Sequence, residues 1–188
     1  MPDEGETQLD EPFWNPTPRW TLWAWVALFS LFMLYAWSRH GGFLFMDNVN
    51  LVVHEGGHML FSWFGRTLCL WGGTLLQWLV PLLLALLFLF ERQILGFVFC
   101  AFVFFENWLY TATYMADARA MQLPLVSVGD GGGEEGVVMH DWWNIFTQLG
   151  VLEYDTRIAA VVRAVGWMGM LGVTAWVAWR AWSLRTES

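Results

Sequence analysis

The sequence predicts an all-α membrane protein, a polytopic bundle of about five transmembrane helices with a glycine-rich loop and a short helix before the last span. Apolar residues make up 57% of the chain, including 15 Trp and 15 Phe, which is more than the surface of a soluble domain accommodates. Charged residues make up only 14% and lie outside the long apolar stretches. This distribution is expected because an unpaired charge at the centre of a bilayer costs several kcal/mol.

Five apolar stretches are long enough to be spans. A helix rises about 1.5 Å per residue, so about 20 residues are needed to cross the hydrocarbon core. Charged or glycine-containing turns separate the stretches, and we predict spans at about 20–37, 43–64, 70–90, 94–115 and 158–182. The second is the least lipid-like because several polar side chains interrupt it. Residues 20–182 are therefore predicted to form one transmembrane domain.

The remaining segments are predicted to lie outside the membrane. Residues 1–19 are acidic and contain several prolines, which favours a disordered tail over the basic start of a signal peptide. The connection 116–157 is polar, with a mobile glycine-rich loop, and residues 141–152 are predicted to form a short Trp-rich helix that is amphipathic or re-entrant. Residues 183–188 form a second tail.

The charge pattern limits the possible partners. The net charge is −8, and the nine basic residues are all Arg and scattered singly, so no basic surface is available for nucleic acid. We expect membrane lipid and either a membrane-protein substrate or partner subunits. The two cysteines, Cys69 and Cys100, lack a paired spacing, which argues against a disulfide framework or a cysteine metal cluster. The expected location is an integral membrane one, the inner membrane if the source is bacterial.

The strongest chemical signal is the His-Glu-Gly-Gly-His run at 54–58. Residues four apart lie on one face of a helix, so His54 and His58 can offer imidazole nitrogens to one Zn²⁺ ion, with Glu55 beside it. In zinc hydrolases the metal lowers the pKa of a bound water to about 7, and a neighbouring Glu takes up its proton. The alternative is a hydrogen-bonded helix contact near the membrane surface.

A third zinc ligand must come from elsewhere, because a catalytic zinc ion usually takes three protein ligands. His140 is the first choice, since the chain has only four His and this one adjoins the Trp-rich segment, which could fold back onto the bundle. Asp141 is the alternative ligand. Asp117, at the end of the fourth span, and Asp130, in the glycine-rich loop, follow.

Two polar faces could support such a site. On the second span, Asn50 shares the histidine face with Asp47 and could orient an imidazole, although a helix cap is the favoured interpretation. On the fourth span the polar residues recur at spacings of four, three and four: Glu106, Tyr110, Thr113 and Asp117.

The face on the fourth span has two interpretations. It could line a hydrated cavity in which Asn107 or Tyr110 binds a substrate carbonyl or stabilises its oxyanion. It could equally make hydrogen bonds between helices. The pairs expected in that case are Glu106 with Gln77 and Asp117 with Arg163.

The 54–58 run resembles a known family. Together with Phe64-Gly65 at the helix end and Gly72-Gly73-Thr74 at the start of the next span, it is similar to the site-2-protease-like intramembrane metalloproteases. The resemblance covers residues 48–81 and implies that His54 and His58 bind zinc and that Glu55 is the general base. Such proteases usually supply their third ligand from an Asp-Gly motif on a later apolar segment. The chain's only Asp-Gly, at 130–131, lies in a polar loop, which indicates a divergent member.

We therefore predict a zinc-dependent intramembrane peptidase that hydrolyses peptide bonds in or near the membrane. The alternative is a non-catalytic metal-binding or structural subunit of a membrane protein complex. A metal-ion transporter is a more distant third possibility.

Overall fold

Regular structure is helical throughout the part of the chain that can be described. The structure is a computed structural model and describes residues 13–123 and 140–184. Its α-helices are α1 (Arg19–Ser38), α2 (Asp47–Phe61), α3 (Arg66–Phe90), α4 (Ile94–Ala116), α5 (Asp141–Leu149) and α6 (Asp155–Ser183). Short 3-10 turns, Ser62–Phe64 and Leu152–Tyr154, precede α3 and α6. The predicted all-α class is confirmed.

Four of the described helices are long and apolar enough to cross a membrane. They are α1, α3, α4 and α6, the last extended by its preceding turn to Leu152–Ser183. They coincide within a few residues with four of the predicted spans. Long apolar runs between charged turns were therefore sufficient to locate these helices.

The predicted second span, 43–64, does not form a helix of that length. Helix α2 has 15 residues, which reach about 22 Å. It begins only at Asp47, whose carboxylate accepts a hydrogen bond from Leu44 N at 2.6 Å. It ends in the 3-10 turn before Gly65, where the φ angle is +95°. Residues 43–46 are as apolar as the helix itself, so hydropathy alone placed the start too early.

Helix α2 also begins partway along the bundle. Near its start Asn50 contacts Glu106, in the middle of α4, at 3.0 Å. One turn further on, the His54 ring lies 5.7 Å from the ring of Tyr114, in the last turn of α4. The midpoint of α2 thus already lies level with the end of α4, and α2 is shorter than the helices that are long enough to cross a membrane. The count of five spans is therefore not confirmed.

Helix α4 lies at the centre of the bundle. It packs against α2, α3, α5 and α6, and α1 packs against α6. The main core lies between α1, α4 and α6, where the rings of Phe29 and Phe102 stack at 4.1 Å. A second core, which includes Trp142 and Ile145, lies where α5 covers the end of α4. Close packing of this kind holds helices together in lipid.

Two glycines allow α2 and α3 to approach closely. A Cβ atom added to Gly57 would collide with the Gly72 carbonyl, and one added to Gly72 would lie 2.8 Å from Gly57 O. Only residues without a side chain permit this distance between two helix backbones. The contact places the histidine face of α2 against α3.

The described part of the predicted N-terminal tail packs against the bundle. The Trp14 ring lies 5.3 Å from that of Phe97 and 5.9 Å from that of Trp176. In addition, Asn15 N donates to Arg92 O at 2.9 Å. The Trp14 side chain thus gains packing contacts with α4 and α6, although the segment around it is acidic. Residues 1–12, residues 124–139 with the whole predicted glycine-rich loop, and residues 185–188 lie outside the described ranges.

Candidate metal centre

Three side chains from α2 and α5 converge at one end of the bundle. His54 Nε2 and His58 Nε2 lie 3.0 Å and 3.1 Å from the same oxygen, Asp141 Oδ2. Among the described residues these three form the one group of His, Cys and carboxylate side chains that could hold a metal ion. The two imidazoles are brought together by one helical turn of α2. The carboxylate comes from the first residue of α5.

A chain of hydrogen bonds determines the tautomer of His54. Asn107 Nδ2 donates to the carbonyl of Val103 at 3.0 Å, so Asn107 Oδ1 accepts from Gln77 Nε2 at 3.1 Å. Gln77 Oε1 is then left to accept from His54 Nδ1 at 2.7 Å. With its proton on Nδ1, the neutral His54 ring presents the Nε2 lone pair to Asp141.

His58 has the same tautomer. Its Nδ1 donates to the Cys69 carbonyl at 2.7 Å, which leaves the Nε2 lone pair facing Asp141 Oδ2. Two imidazole nitrogens and a carboxylate oxygen, all acceptors, therefore meet at one point. Acceptors this close repel one another unless a cation lies between them, either added protons or a metal ion.

In the absence of a metal, protons on the imidazole nitrogens can lie between these three acceptor atoms. Burial alone would raise the pKa of Asp141, but imidazoles protonated on Nε2 donate hydrogen bonds to it and hold its pKa at about 2. The carboxylate is therefore ionised near neutral pH. A metal ion that binds here displaces the imidazole protons, because only a deprotonated nitrogen can be a ligand.

Glu55 lies beside this group, and its carboxylate is not engaged in a hydrogen bond or an ion pair with any described residue. It follows His54 on α2 and is half-buried. The exposed fraction of the side chain is 20% for His58, 13% for Asp141 and 3% for His54. The site is therefore open on the side of His58.

His140, the first choice for the third ligand, does not face the histidine pair. Its Nδ1 accepts from Trp143 N at 3.2 Å and so caps α5. Its Nε2 lies 3.6 Å from Asp117 Oδ2. Burial lowers the pKa of His140, so the ring is neutral and, with Nδ1 accepting, carries its proton on Nε2. His140 is fully buried, its Nδ1 caps α5 and its Nε2 faces Asp117 instead of the histidine pair, so the geometry favours Asp141 as the third ligand.

The remaining carboxylate candidates are not brought to the site. Asp117 accepts from the backbone nitrogens of Gln122 and Leu123 at 2.9 and 3.0 Å, so it stabilises the end of α4. Asp130 lies outside the described residues.

The predicted supporting residues divide into two groups. Tyr110 lies near the site, with its ring 6.3 Å from that of His54, and Asn107 acts through Gln77. Asn50 lies further away, where its amide bridges Asp47 Oδ1 at 3.3 Å and Glu106 Oε2 at 3.0 Å. Glu106 thus makes a hydrogen bond between helices, but with Asn50 instead of Gln77.

Two residues of the site are not predicted by the sequence. Gln77 is predicted only as a partner of Glu106, whereas the structure pairs it with His54. Tyr114 is not predicted to belong to the site, but its hydroxyl accepts from Asp141 N at 3.2 Å and lies 3.3 Å from Asp141 Oδ2. The available signal was its position four residues after Tyr110 on the same face of α4.

Within residues 13–123 and 140–184, the regular structure is helical, four helices are long enough to cross a membrane, and His54, His58 and Asp141 form a candidate metal centre. Comparison of the chain with family models, with curated proteins and with solved structures gives no match.

Proposed function

We propose that the protein is a zinc-dependent intramembrane peptidase, a multi-pass membrane protein that hydrolyses peptide bonds in or near the membrane. The observation that carries this proposal is the convergence of His54 Nε2, His58 Nε2 and Asp141 Oδ2, with Glu55 next to the first ligand. In a bacterium the location would be the inner membrane.

The donor set fits zinc. Imidazole nitrogens and a carboxylate oxygen bind zinc at about 2.0–2.2 Å, and a tetrahedral arrangement then separates the ligand atoms by about 3.3–3.5 Å. The separations of 3.0 and 3.1 Å to Asp141 need to widen by only a few tenths of an ångström. On both rings Nδ1 donates to a carbonyl oxygen, of Gln77 and of Cys69, which is the usual support for a zinc-ligating histidine.

Three protein ligands favour catalysis over a purely structural site. Structural zinc sites are closed by four protein ligands, whereas catalytic ones keep a position open. Among the described residues no fourth His, Cys or carboxylate joins the group. The exposed side of His58 gives water and a peptide a route to this position.

The residues of the chain can be assigned distinct roles in hydrolysis. Bound zinc would supply Lewis acidity towards a water molecule and a peptide carbonyl. Glu55 accepts the proton of the attacking water and delivers it to the leaving amine. Tyr110, whose ring lies 6.3 Å from that of His54 and whose hydroxyl makes no hydrogen bond within the described ranges, is the proposed donor to the substrate carbonyl. Asn107 does not take this role, because its amide already makes hydrogen bonds with Gln77 and with the Val103 carbonyl.

The position of the centre suggests where substrates are cut. His54 lies against Tyr114, in the last turn of α4, and Asp141 comes from a helix outside the membrane-length set. The site is therefore near one end of the bundle. We infer that the scissile bond lies close to the membrane surface.

Metal content tests the first half of the proposal. The full chain, purified in detergent without chelators, is expected to hold about one zinc per chain by elemental analysis. His58→Ala and Asp141→Ala should lose it, whereas His140→Ala should keep it. A wild-type protein that purifies and reconstitutes without any bound metal would overturn the proposal.

Glu55→Gln separates the peptidase from the alternative, a non-catalytic metal-binding or structural subunit. This variant should keep its zinc, since Glu55 is not a ligand, but lose hydrolysis. The measurement compares the cleaved fragments of membrane proteins in cells that express either form, with Gly172→Ala as the active control, because nothing lies within 4 Å of its added Cβ atom. If wild type and Glu55→Gln leave identical fragments, the structural-subunit interpretation replaces the peptidase.

A further inference from the structure

Arg163 is a positive charge within the membrane-length helix α6, and it forms no ion pair with any described residue. Arg163 lies in the third turn of α6, and its one hydrogen bond in the described ranges is from NH2 to Thr113 Oγ1 at 3.4 Å. The expected partner, Asp117, binds backbone nitrogens instead. By contrast, Arg119 makes a two-pronged ion pair with Asp155 at 2.9 and 2.7 Å. A cation within an apolar helix needs such a partner.

A cavity of about 450 Å³ lies beside the Arg163 guanidinium. It is enclosed by the end of α1, the turn that follows α1, and the facing sides of α4 and α6. The turn comes close to Arg163 at Gly41, where φ is +82° and an added Cβ atom would collide with the guanidinium. Glycine at this position therefore lets the guanidinium reach the cavity. The volume is sufficient for a small polar group.

The cavity wall does not neutralise Arg163. The one carboxylate that lines it within the described residues is Asp47. Its oxygens already accept from Leu44 N at 2.6 Å and from Asn50 Nδ2 at 3.3 Å, and it forms no ion pair with Arg163. The guanidinium is thus available to an oxyanion, and its planar fork of donors suits a carboxylate or a phosphate.

The depth of the cavity identifies the source of the oxyanion. Trp37, one residue before the end of α1, and Trp167 both line the cavity, with their rings edge to face at 6.1 Å. Tryptophan concentrates where the membrane meets water, at the level of lipid headgroups. Basic pockets between transmembrane helices at this level bind the headgroups of phospholipids.

We propose that this cavity binds the phosphate group of a phospholipid headgroup, with Arg163 as the residue that binds the anion. The lipid chains extend along the outside of α1 and α6. The cavity shares Tyr110 with the surroundings of the metal centre but is lined by none of the three candidate ligands, and the lipid proposal does not depend on the peptidase proposal.

Native mass spectrometry of the full chain in detergent tests the proposal. After delipidation, the protein is titrated with phosphatidylethanolamine and, separately, with diacylglycerol, which has the same chains but no phosphate. We expect one phospholipid to bind the wild type in preference to diacylglycerol. Arg163→Gln should weaken this binding about tenfold or more, because a charge-assisted hydrogen-bonded contact is lost. Arg157→Gln is the matched control, because Arg157 is an exposed arginine of the same helix outside the cavity, and this variant should bind lipid as the wild type does.

A folding check, a second variant and a competition with inorganic phosphate make the result of the lipid titration unambiguous. Arg163→Gln removes a charge from an apolar helix, so it should fold, and size-exclusion chromatography checks that it does. Arg163→Lys should bind less tightly than the wild type because an ammonium lacks the fork. Equal binding of diacylglycerol, or lipid binding by Arg163→Gln equal to that of the wild type, would overturn the proposal. Displacement of the lipid by millimolar inorganic phosphate would identify a site for free anions instead.

Discussion

Gln77 Oε1 accepts a hydrogen bond from His54 Nδ1 at 2.7 Å, deep between α2 and α3. Both residues are almost completely buried. An amide in an apolar helix is costly unless all its groups are paired, and Gln77 is paired at both ends, with His54 and with Asn107. The result is that the Nε2 lone pair of His54 is directed at Asp141 before any metal binds.

The first prediction concerns this hydrogen bond. Gln77→Leu should reduce zinc affinity by about 10- to 100-fold, the usual effect of removing the group that orients a ligating histidine. Gln77→Glu keeps an acceptor opposite Nδ1 but loses the donor to Asn107 Oδ1, so its zinc affinity should lie between those of the wild type and Gln77→Leu. Competition with a chromophoric zinc chelator measures both. Equal affinities for wild type and Gln77→Leu would show that Gln77 does not orient the ligand.

The second prediction concerns the packing of His54. An added Cβ atom at Gly73 would lie 2.5 to 2.6 Å from the atoms of this imidazole, so Gly73→Ala should displace the ring. We expect destabilisation of about 1–3 kcal/mol, typical of overpacking, and a loss of bound zinc. Gly172→Ala is the matched control, since nothing lies within 4 Å of its added Cβ atom. That substitution should be neutral or slightly stabilising in thermal unfolding, because alanine favours a helix.

The third prediction is that metal removal destabilises the fold. A ligand that binds only the folded state adds about 2.7 kcal/mol when its free concentration is 100 times the dissociation constant. A chelator should therefore lower the unfolding temperature of the wild type in detergent, and added zinc should restore it. Asp141→Ala should respond to neither. A chelator effect of the same size in Asp141→Ala would mean that the metal acts elsewhere.

The fourth prediction concerns the ion pair between Arg119 and Asp155. The Asp155 side chain is 1% exposed and also accepts from Thr156 N at 2.6 Å, whereas that of Arg119 is 50% exposed. Arg119→Ala leaves a buried carboxylate without its cation, and we expect a lower unfolding temperature. In Arg119→Ala/Asp155→Ala the combined loss should be smaller than the sum of the single losses. Strict additivity would show that the pair is not coupled.

The membrane-length helices could be located from the sequence because their hydropathy pattern is visible in the sequence itself. A long apolar run between charged turns identifies such a helix without knowledge of its neighbours. The same reasoning failed for α2, because the turn at 43–46 is apolar and depends on the Asp47 carboxylate accepting from Leu44 N. That interaction exists only in three dimensions.

The candidate site was predictable to a similar extent. The spacing of His54 and His58 placed two ligands on one face of a helix, and the structure brings them together. The sequence could not decide between His140 and Asp141 as the third ligand. The side chains of two adjacent residues at a helix start point in different directions, and which of them faces the histidine pair depends on how the helix is docked. The His140 ring caps the helix while the Asp141 side chain reaches the pair. The sequence did not predict that Gln77 orients His54, because this contact depends on how far α3 is shifted along its axis relative to α2.

The close contact of Gly57 with Gly72 has a consequence for sequence variation. The two glycines inside the His-Glu-Gly-Gly-His run are not equivalent. A side chain at 56 would meet its nearest neighbour, Leu76 Cδ2, only at 3.9 Å, whereas one at 57 would collide with the backbone of α3. In any protein that descends from the same ancestor and keeps this helix pair, we expect position 56 to vary. Position 57 should remain glycine together with 72, even in descendants that have lost the metal.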